Sequence, residues 1–516
     1  MGELSRRRFL QAVGVSSGAG ALLATLVASD GAAVTPPFTA PTSSDGQSVV
    51  VLGAGIAGLT SAYELGKAGY RCTVLEARPR PGGRVLTIRG GDTETDLDGH
   101  TQRATFSYGT YFNAGAARIA PWMVTLDYCR ELGVPVEVFV NSNADAFIHR
   151  RGGGPPVRFR TARADLYGYV SQLLTTVVRG GGLDAELAGG GRDQLLEFLR
   201  DFGRLTDDGE YQGGPDRGFV TYPGVDGGVP LDGPPGLAEV LAGGTGPYLG
   251  FDLAFDQAMP MFQPVGGMDR IPMALARAVG AGRIRLGAVV TALTGQADGV
   301  EVRYRQGGRE RTIVADYCVA ALPPHLMARL PHNLGDDVST ALGAFAPFPA
   351  GKLGLEYGRR WWETDLGIYG GSTSTDLDLQ QIWYPSSGFH GPRGLLVGYY
   401  NFGTDAETYA ALAPSDRAER AVSLGEQIHG AQFRTDLVSS FSVSWSRVPY
   451  LEGAWAAPPY GSPAVTVLQA PAGRVFFAGD WLSHTVAWQH GAFVSARAAV
   501  TALHRASTAR ASARRR

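Results

Sequence analysis

Cysteine is nearly absent: the 516 residues hold three, Cys72, Cys129 and Cys318, an odd number at no metal-binding spacing. That excludes a disulfide framework and a cysteine-based metal centre, and leaves all three as small buried hydrophobes. Charge of one sign is missing too. The formal net charge is -2, and the only runs of three basic residues are Arg6-Arg7-Arg8 and Arg514-Arg515-Arg516, so no basic face invites nucleic acid. Histidine is scarce, at nine, and assembles no Ser/His/Asp constellation and no metal pair. His325 follows Pro323-Pro324 and reads as a loop residue, while His484 and His490 read as structural or as shaping access to a site. No internal repeat is visible. Against these absences stand 44% hydrophobic and 18% charged residues, enough to bury a large core over two or three domains. Glycine is abundant, at 72 without a collagen-like period, which suits tight turns and close backbone approaches.

The chain begins with a targeting pattern. Ser5-Arg6-Arg7-Arg8-Phe9-Leu10 is similar to a twin-arginine export signal, a weakly apolar Gly/Ala/Ser stretch follows, and Ala32-Ala33 offers small residues for cleavage. Residues 1–34 are therefore expected to be a signal read by the twin-arginine export machinery, giving a secreted or cell-envelope protein. Phe9 to Val27 contains too much glycine and serine to act as a stable membrane anchor, and no later stretch is long and apolar enough to span a bilayer.

Chemistry first becomes readable at Ser48–Leu52, a β-branched run suited to a buried parallel strand. It enters Gly53-Ala54-Gly55-Ile56-Ala57-Gly58, followed by a helical stretch from Leu59 to Ala68 and a second strand, Arg71–Leu75, that ends in Glu76 and Ala77. The first glycine permits the turn, the second lets a diphosphate approach the backbone, and the third lets helix and strand pack closely. The diphosphate then rests on amides at the helix N-terminus. Glu76 falls 18 residues after Gly58, within reach of a ribose.

The continuation, Glu76-Ala77-Arg78-Pro79-Arg80-Pro81-Gly82-Gly83-Arg84, resembles the second fingerprint of the flavin amine oxidase superfamily. The resemblance implies FAD as cofactor, with Gly83 approaching the flavin chain and Arg84 contacting the diphosphate. It implies an α/β fold in which a Rossmann-like FAD-binding domain is interleaved with an α+β substrate-binding domain. Returns to the FAD domain are expected at Val265–Arg270 with the helix after it, and at Arg283–Leu293, read as one strand carrying Val290 to the adenine. The last return is Arg474–Asp480, with Gly479 and Asp480 beside the flavin chain, followed by a helix over Gly491–Leu503. The expected division is 47–120, 264–345 and 440–505 for FAD, 121–263 and 346–439 for the substrate and helical domain, and 506–516 as a basic tail.

Within that superfamily the motifs are closest to bacterial L-amino acid oxidases. Asn113-Ala114-Gly115-Ala116-Ala117-Arg118-Ile119 resembles the segment whose arginine holds a substrate carboxylate, with Gly115, Ala116 and Ala117 beside the cofactor. It departs from the family pattern at Ala117 and Ala120, and an insertion-like stretch, Gly90 to Thr110, precedes it. A guanidinium matches two carboxylate oxygens. Gly351-Lys352-Leu353 resembles the strand whose lysine holds a water near flavin N5. Gln381-Ile382-Trp383-Tyr384-Pro385 and Ala487-Trp488-Gln489 resemble flavin-facing segments, with Tyr384 and Trp488 expected as an aromatic cage. The apolar segment Phe251–Phe262 is expected either to line the pocket, for a bulky or aromatic side chain, or to be core.

The implied reaction is oxidation of an L-amino acid to an imino acid by hydride transfer to the flavin, with oxygen as acceptor giving hydrogen peroxide, and hydrolysis to a keto acid and ammonia. Three alternatives stay open: a monoamine or polyamine oxidase in which Arg118 is structural, an amino acid 2-monooxygenase forming an amide, and a flavin-binding scaffold without turnover. The assembly state is left open, a homodimer included.

Overall fold

A computed structural model describes residues 46–152, 154–187 and 191–514. The expected signal segment 1–34 lies outside the described residues. The first strand, Ser48–Leu52, pairs in parallel with Arg71–Glu76 on one side and Tyr317–Ala320 on the other. Ile284–Leu286 and Val475–Phe477 complete the sheet, also in parallel. The order is Ile284–Leu286, Arg71–Glu76, Ser48–Leu52, Tyr317–Ala320, Val475–Phe477. The order reverses at the first strand, and a crevice opens beyond the carboxyl ends of the strands at such a point.

Both faces of this sheet are covered, which is why its strands are apolar without alternation. Val49, Val51, Val74, Val319 and Phe476 belong to one core cluster, with the helices Ile56–Lys67, Arg270–Val279 and Gln489–Arg514. Val50, Leu52, Leu75, Cys318 and Phe477 belong to another, with the antiparallel sheet Val289–Gly295, Val300–Gln306, Arg309–Ala315.

A second, seven-stranded sheet runs in the order Leu437–Ser444, Ala350–Tyr357, Gly394–Phe402, Gln381–Trp383, Ser372–Thr375, Phe147–His149, Val157–Arg158. Ala350–Tyr357 is buried at all eight positions. Leu437–Ser444 crosses the division expected at residue 440 and belongs to this sheet. Two paired helices, Phe159–Arg179 and Gly191–Gly203, lie within 121–263, part of the expected substrate and helical domain.

Two elements differ from the sequence expectation. The single strand read over Arg283–Leu293 is two, because Gly287 turns the chain at φ +67. The amides of Gly287 and Ala288 then donate to the carbonyls of Arg78 (3.2 Å) and Glu76 (2.8 Å). The last helix extends from Gln489 to Arg514, through most of the expected tail. Ala506 packs against the core and Ser507 donates to Gln47, so the tail gains partners. Among the described residues no helix is long and apolar enough to cross a membrane.

All three cysteines are buried and unpaired. Burial pushes the thiols of Cys72 and Cys129 up to about 12, and the thiolate is the nucleophile. Iodoacetamide at pH 8 is expected to leave all three thiols of the native protein unmodified and to label all three in urea, read by mass spectrometry. Rapid labelling of the native protein would contradict this packing.

Candidate active site

The crevice is built on close glycine contacts. Gly53 leaves the first strand at φ +93, and its amide donates to the Leu75 carbonyl at 2.8 Å. A β-carbon at Gly58 would lie 1.9 Å from the Gly53 carbonyl oxygen, so only glycine lets helix Ile56–Lys67 start here. At Gly55 the same construction meets nothing within 4 Å, because its bare face borders a cleft. The helix has no side-chain cap and no acid in its first turn, which leaves its amides and dipole to an anion. The amide of Gly82 donates to the Ala54 carbonyl at 2.8 Å, docking the second glycine turn on the first.

This cleft encloses about 400 Å³. Glu76, Ala77 and Val290 border it, as do Gly55, Ala57, Gly83, Arg84, Gly479 and Asp480, and so do Gly115, Ala116, Lys352 and Trp488. Buried Glu76 accepts from the amides of Ala54 (2.7 Å) and Arg78 (2.9 Å); burial raises its carboxyl above the ordinary range, against those two bonds. Arg84 pairs with Asp480 and donates to the Ala454 carbonyl at 2.9 Å. Asp480 also accepts from the Ala487 amide at 3.0 Å, which holds Ala487 at its unusual φ of +70. Gly58 keeps its packing role but does not border the cleft.

A smaller compartment of about 90 Å³ adjoins the cleft, sharing Gly115, Ala116, Lys352, Tyr400, Trp488 and Gln489 with it. Ala117 and Arg118 border the smaller one alone of the two. Lys352 donates to the Gly115 carbonyl at 2.6 Å and lies 4.3 Å and 4.7 Å from the ring centres of Tyr400 and Trp383. Burial, with Arg118 nearby, pushes this amine well below its usual range. The guanidinium of Arg118 sits over Trp383 at 4.6 Å, Phe251 at 5.4 Å and Trp488 at 5.9 Å. Burial lowers its pKa, opposed by Tyr400 and Asp256. No hydrogen bond or ion pair to Arg118 is found among the described residues.

Tyr384 is not part of this cage. Its hydroxyl bonds Thr373 (2.7 Å) and His429 (2.9 Å) within the core on the other side of the sheet. Side chains alternate along a strand, so Ile382 and Tyr384 enter that core while Gln381 and Trp383 border the compartment. The cage is Trp383, Tyr400 and Trp488. Tyr400 arrives through sheet register, directly opposite Lys352. Trp488 donates from Nε1 to Asp256 at 3.0 Å, and Gln489 is buried with neither amide atom partnered. Of the segment Phe251–Phe262, Phe251, Asp256 and Gln257 border the compartment, whereas Met261 is core and Met259 is exposed. His490 accepts the Val124 amide at 3.1 Å, and burial pushes it down to about 4. It is structural, and His484 is exposed and borders neither compartment.

Glycine contacts, an uncapped helix start and a buried terminal acid are what an adenine dinucleotide requires, and the adjoining compartment gives a flavin ring a place to meet a small molecule. The family model described as flavin containing amine oxidoreductase matches residues 56–504, so the chain belongs to that family and FAD is its cofactor. The L-amino-acid oxidase of Demansia vestigiata is 26% identical over 485 residues, covering 90% of this chain and 88% of that one. The L-amino-acid oxidase of Protobothrops flavoviridis is 27% identical over 493 residues, covering 90% of each. Cyclohexylamine oxidase from Brevibacterium oxydans IH-35A shares the fold, with a TM-score of 0.60 at 17% identity over 89% of this chain and 99% of that one.

Gly55 has an ordinary extended backbone (φ -74) and open space beyond it. Gly55→Val is therefore expected to fold, by circular dichroism, yet to bind FAD at least about tenfold more weakly by displacing the diphosphate. A folded variant with full flavin content would contradict this placement.

Proposed function

We propose that the protein oxidises an L-α-amino acid, with oxygen as the final acceptor. The observation that carries this reading is Arg118, a cation enclosed by aromatic rings, with no ion pair or hydrogen bond among the described residues, at a compartment that opens onto the cofactor cleft. A partly desolvated charge demands a counter-charge, and a substrate carboxylate supplies one in a geometry the guanidinium fork fits. The likeness to L-amino-acid oxidases supports the substrate class and its L configuration.

FAD supplies the hydride acceptor. The chain's own residues bind and orient. Arg118 fixes the carboxylate, and Trp383, Tyr400 and Trp488 flank the rest of the substrate and exclude water. Lys352, held by the Gly115 carbonyl and shifted toward its neutral form, stands at the boundary of the two compartments. Orientation of this kind is worth about 7–11 kcal/mol in favourable cases. The balanced outcome is amino acid, oxygen and water giving keto acid, ammonia and hydrogen peroxide.

A peroxide-release screen over L-amino acids, their D-isomers and simple amines tests this. The wild type is expected to respond to L-amino acids. Arg118→Ala is expected to lose at least about thirtyfold in kcat/KM, from the ~2–5 kcal/mol set by removing one partner of a buried charge pair. Turnover of cyclohexylamine-like amines with none of amino acids, or full activity of the variant, would overturn the proposal.

A further inference from the structure

The substrate compartment holds a second charge that carboxylate binding leaves unused. Asp256 is 4% exposed. Its carboxylate accepts from Trp488 Nε1 at 3.0 Å and from Gln257 Nε2 at 3.3 Å, and no described Lys, Arg or His forms an ion pair with it. Like Arg118, it borders the smaller compartment and not the cofactor cleft. The compartment thus presents a cation and an anion that feel each other's charge yet form no ion pair, with Phe251, Trp383 and Trp488 also on its wall. Each is costly to bury alone.

We propose that Asp256 is the specificity determinant for a cationic side chain, making basic L-amino acids of the lysine, ornithine and arginine type the preferred substrates. This rests on the proposed function, since it needs the α-carboxylate on Arg118. A basic amino acid carries two opposite charges at its ends. With the carboxylate on Arg118, its distal ammonium or guanidinium satisfies Asp256, and its methylenes lie against the rings. A neutral side chain fills the same space, but with Arg118 neutralised by the carboxylate it leaves Asp256 without a counter-charge. The charged group, rather than an apolar lining, then selects the substrate from the 251–262 segment. Rejection by an unsatisfied buried polar group exceeds what a missing methylene achieves.

The test is initial-rate peroxide release by the FAD-loaded enzyme with L-lysine, L-ornithine and L-arginine against L-norleucine and L-leucine. The variant is Asp256→Asn, which keeps an oxygen acceptor for Trp488 and removes only the charge. The wild-type kcat/KM for L-lysine is expected to exceed that for L-norleucine at least tenfold, on the order of one charged hydrogen bond. In Asp256→Asn that ratio is expected to fall by at least about tenfold, with the bound-flavin spectrum unchanged. Preference for neutral side chains in the wild type overturns the inference, and this arm stands by itself should the variant not fold. An unmoved ratio, including an equal loss on both substrates, also overturns it, because Asp256 would then serve the α-amine or Trp488 alone. If no α-amino acid is oxidised at all, the proposed function fails and this inference with it. Amino acid turnover without basic preference sinks this inference alone.

Discussion

Two backbone contacts leave no room for a β-carbon, and the site depends on them. At Gly58 a side chain would strike the Gly53 carbonyl, and at Gly115 it would meet the Arg84 carbonyl at 1.8 Å. The first contact seats the helix whose uncapped start opens on the cofactor cleft. The second brings the segment carrying Arg118 against the second glycine turn, and Lys352 closes on the same residue through the Gly115 carbonyl. The dinucleotide turn, the arginine segment and the lysine strand are far apart in sequence and meet within these contacts. Close backbone approach therefore sets how near the two compartments lie, and side-chain chemistry is added on top.

Charge is arranged in step with that geometry. Along the cofactor cleft Arg84 pairs with Asp480, Arg78 with Glu94 and Arg329 with Glu452, and Glu76 accepts two backbone amides. Such pairs are largely satisfied before anything binds. In the substrate compartment they are not. Arg118 and Asp256 lack ion-pair partners among the described residues, and Lys352 is driven toward neutrality by its surroundings. Binding energy at that end is consequently available for orientation and selection rather than for holding the fold.

The cofactor half was legible in the sequence because its chemistry is local. The motif residues lie within about forty positions of one another, and the structure brings Gly53, Gly55, Glu76, Gly83 and Arg84 along one cleft, with Gly58 packed against the Gly53 carbonyl. In the substrate half, the motif residues Arg118, Lys352 and Trp488 do meet at one compartment, whereas residues placed by strand register carry no such signal. Trp383 and Tyr384 are adjacent aromatics, and only the alternation of one short strand sends the first to the compartment and the second to His429. The alternating pattern of Gln381-Ile382-Trp383-Tyr384 is the sequence signal for that split. Tyr400 had no local signal, since it reaches Lys352 across a strand pairing. Asp256 stands in a segment without periodicity, and its role follows from burial beside Trp488 alone. The turn at Gly287 shows the same limit, because a positive φ between two apolar runs interrupts what reads as one strand.

The central claim is that a bound flavin and a carboxylate on Arg118 share one wall. It is tested most directly by titrating the FAD-loaded protein with benzoate, a carboxylate with no oxidisable amine, and following the absorption of the flavin. A saturable shift is predicted, its dissociation constant rising at least about thirtyfold in Arg118→Ala. Equal affinity in the two proteins, or saturation with no change in the flavin spectrum, would contradict the account.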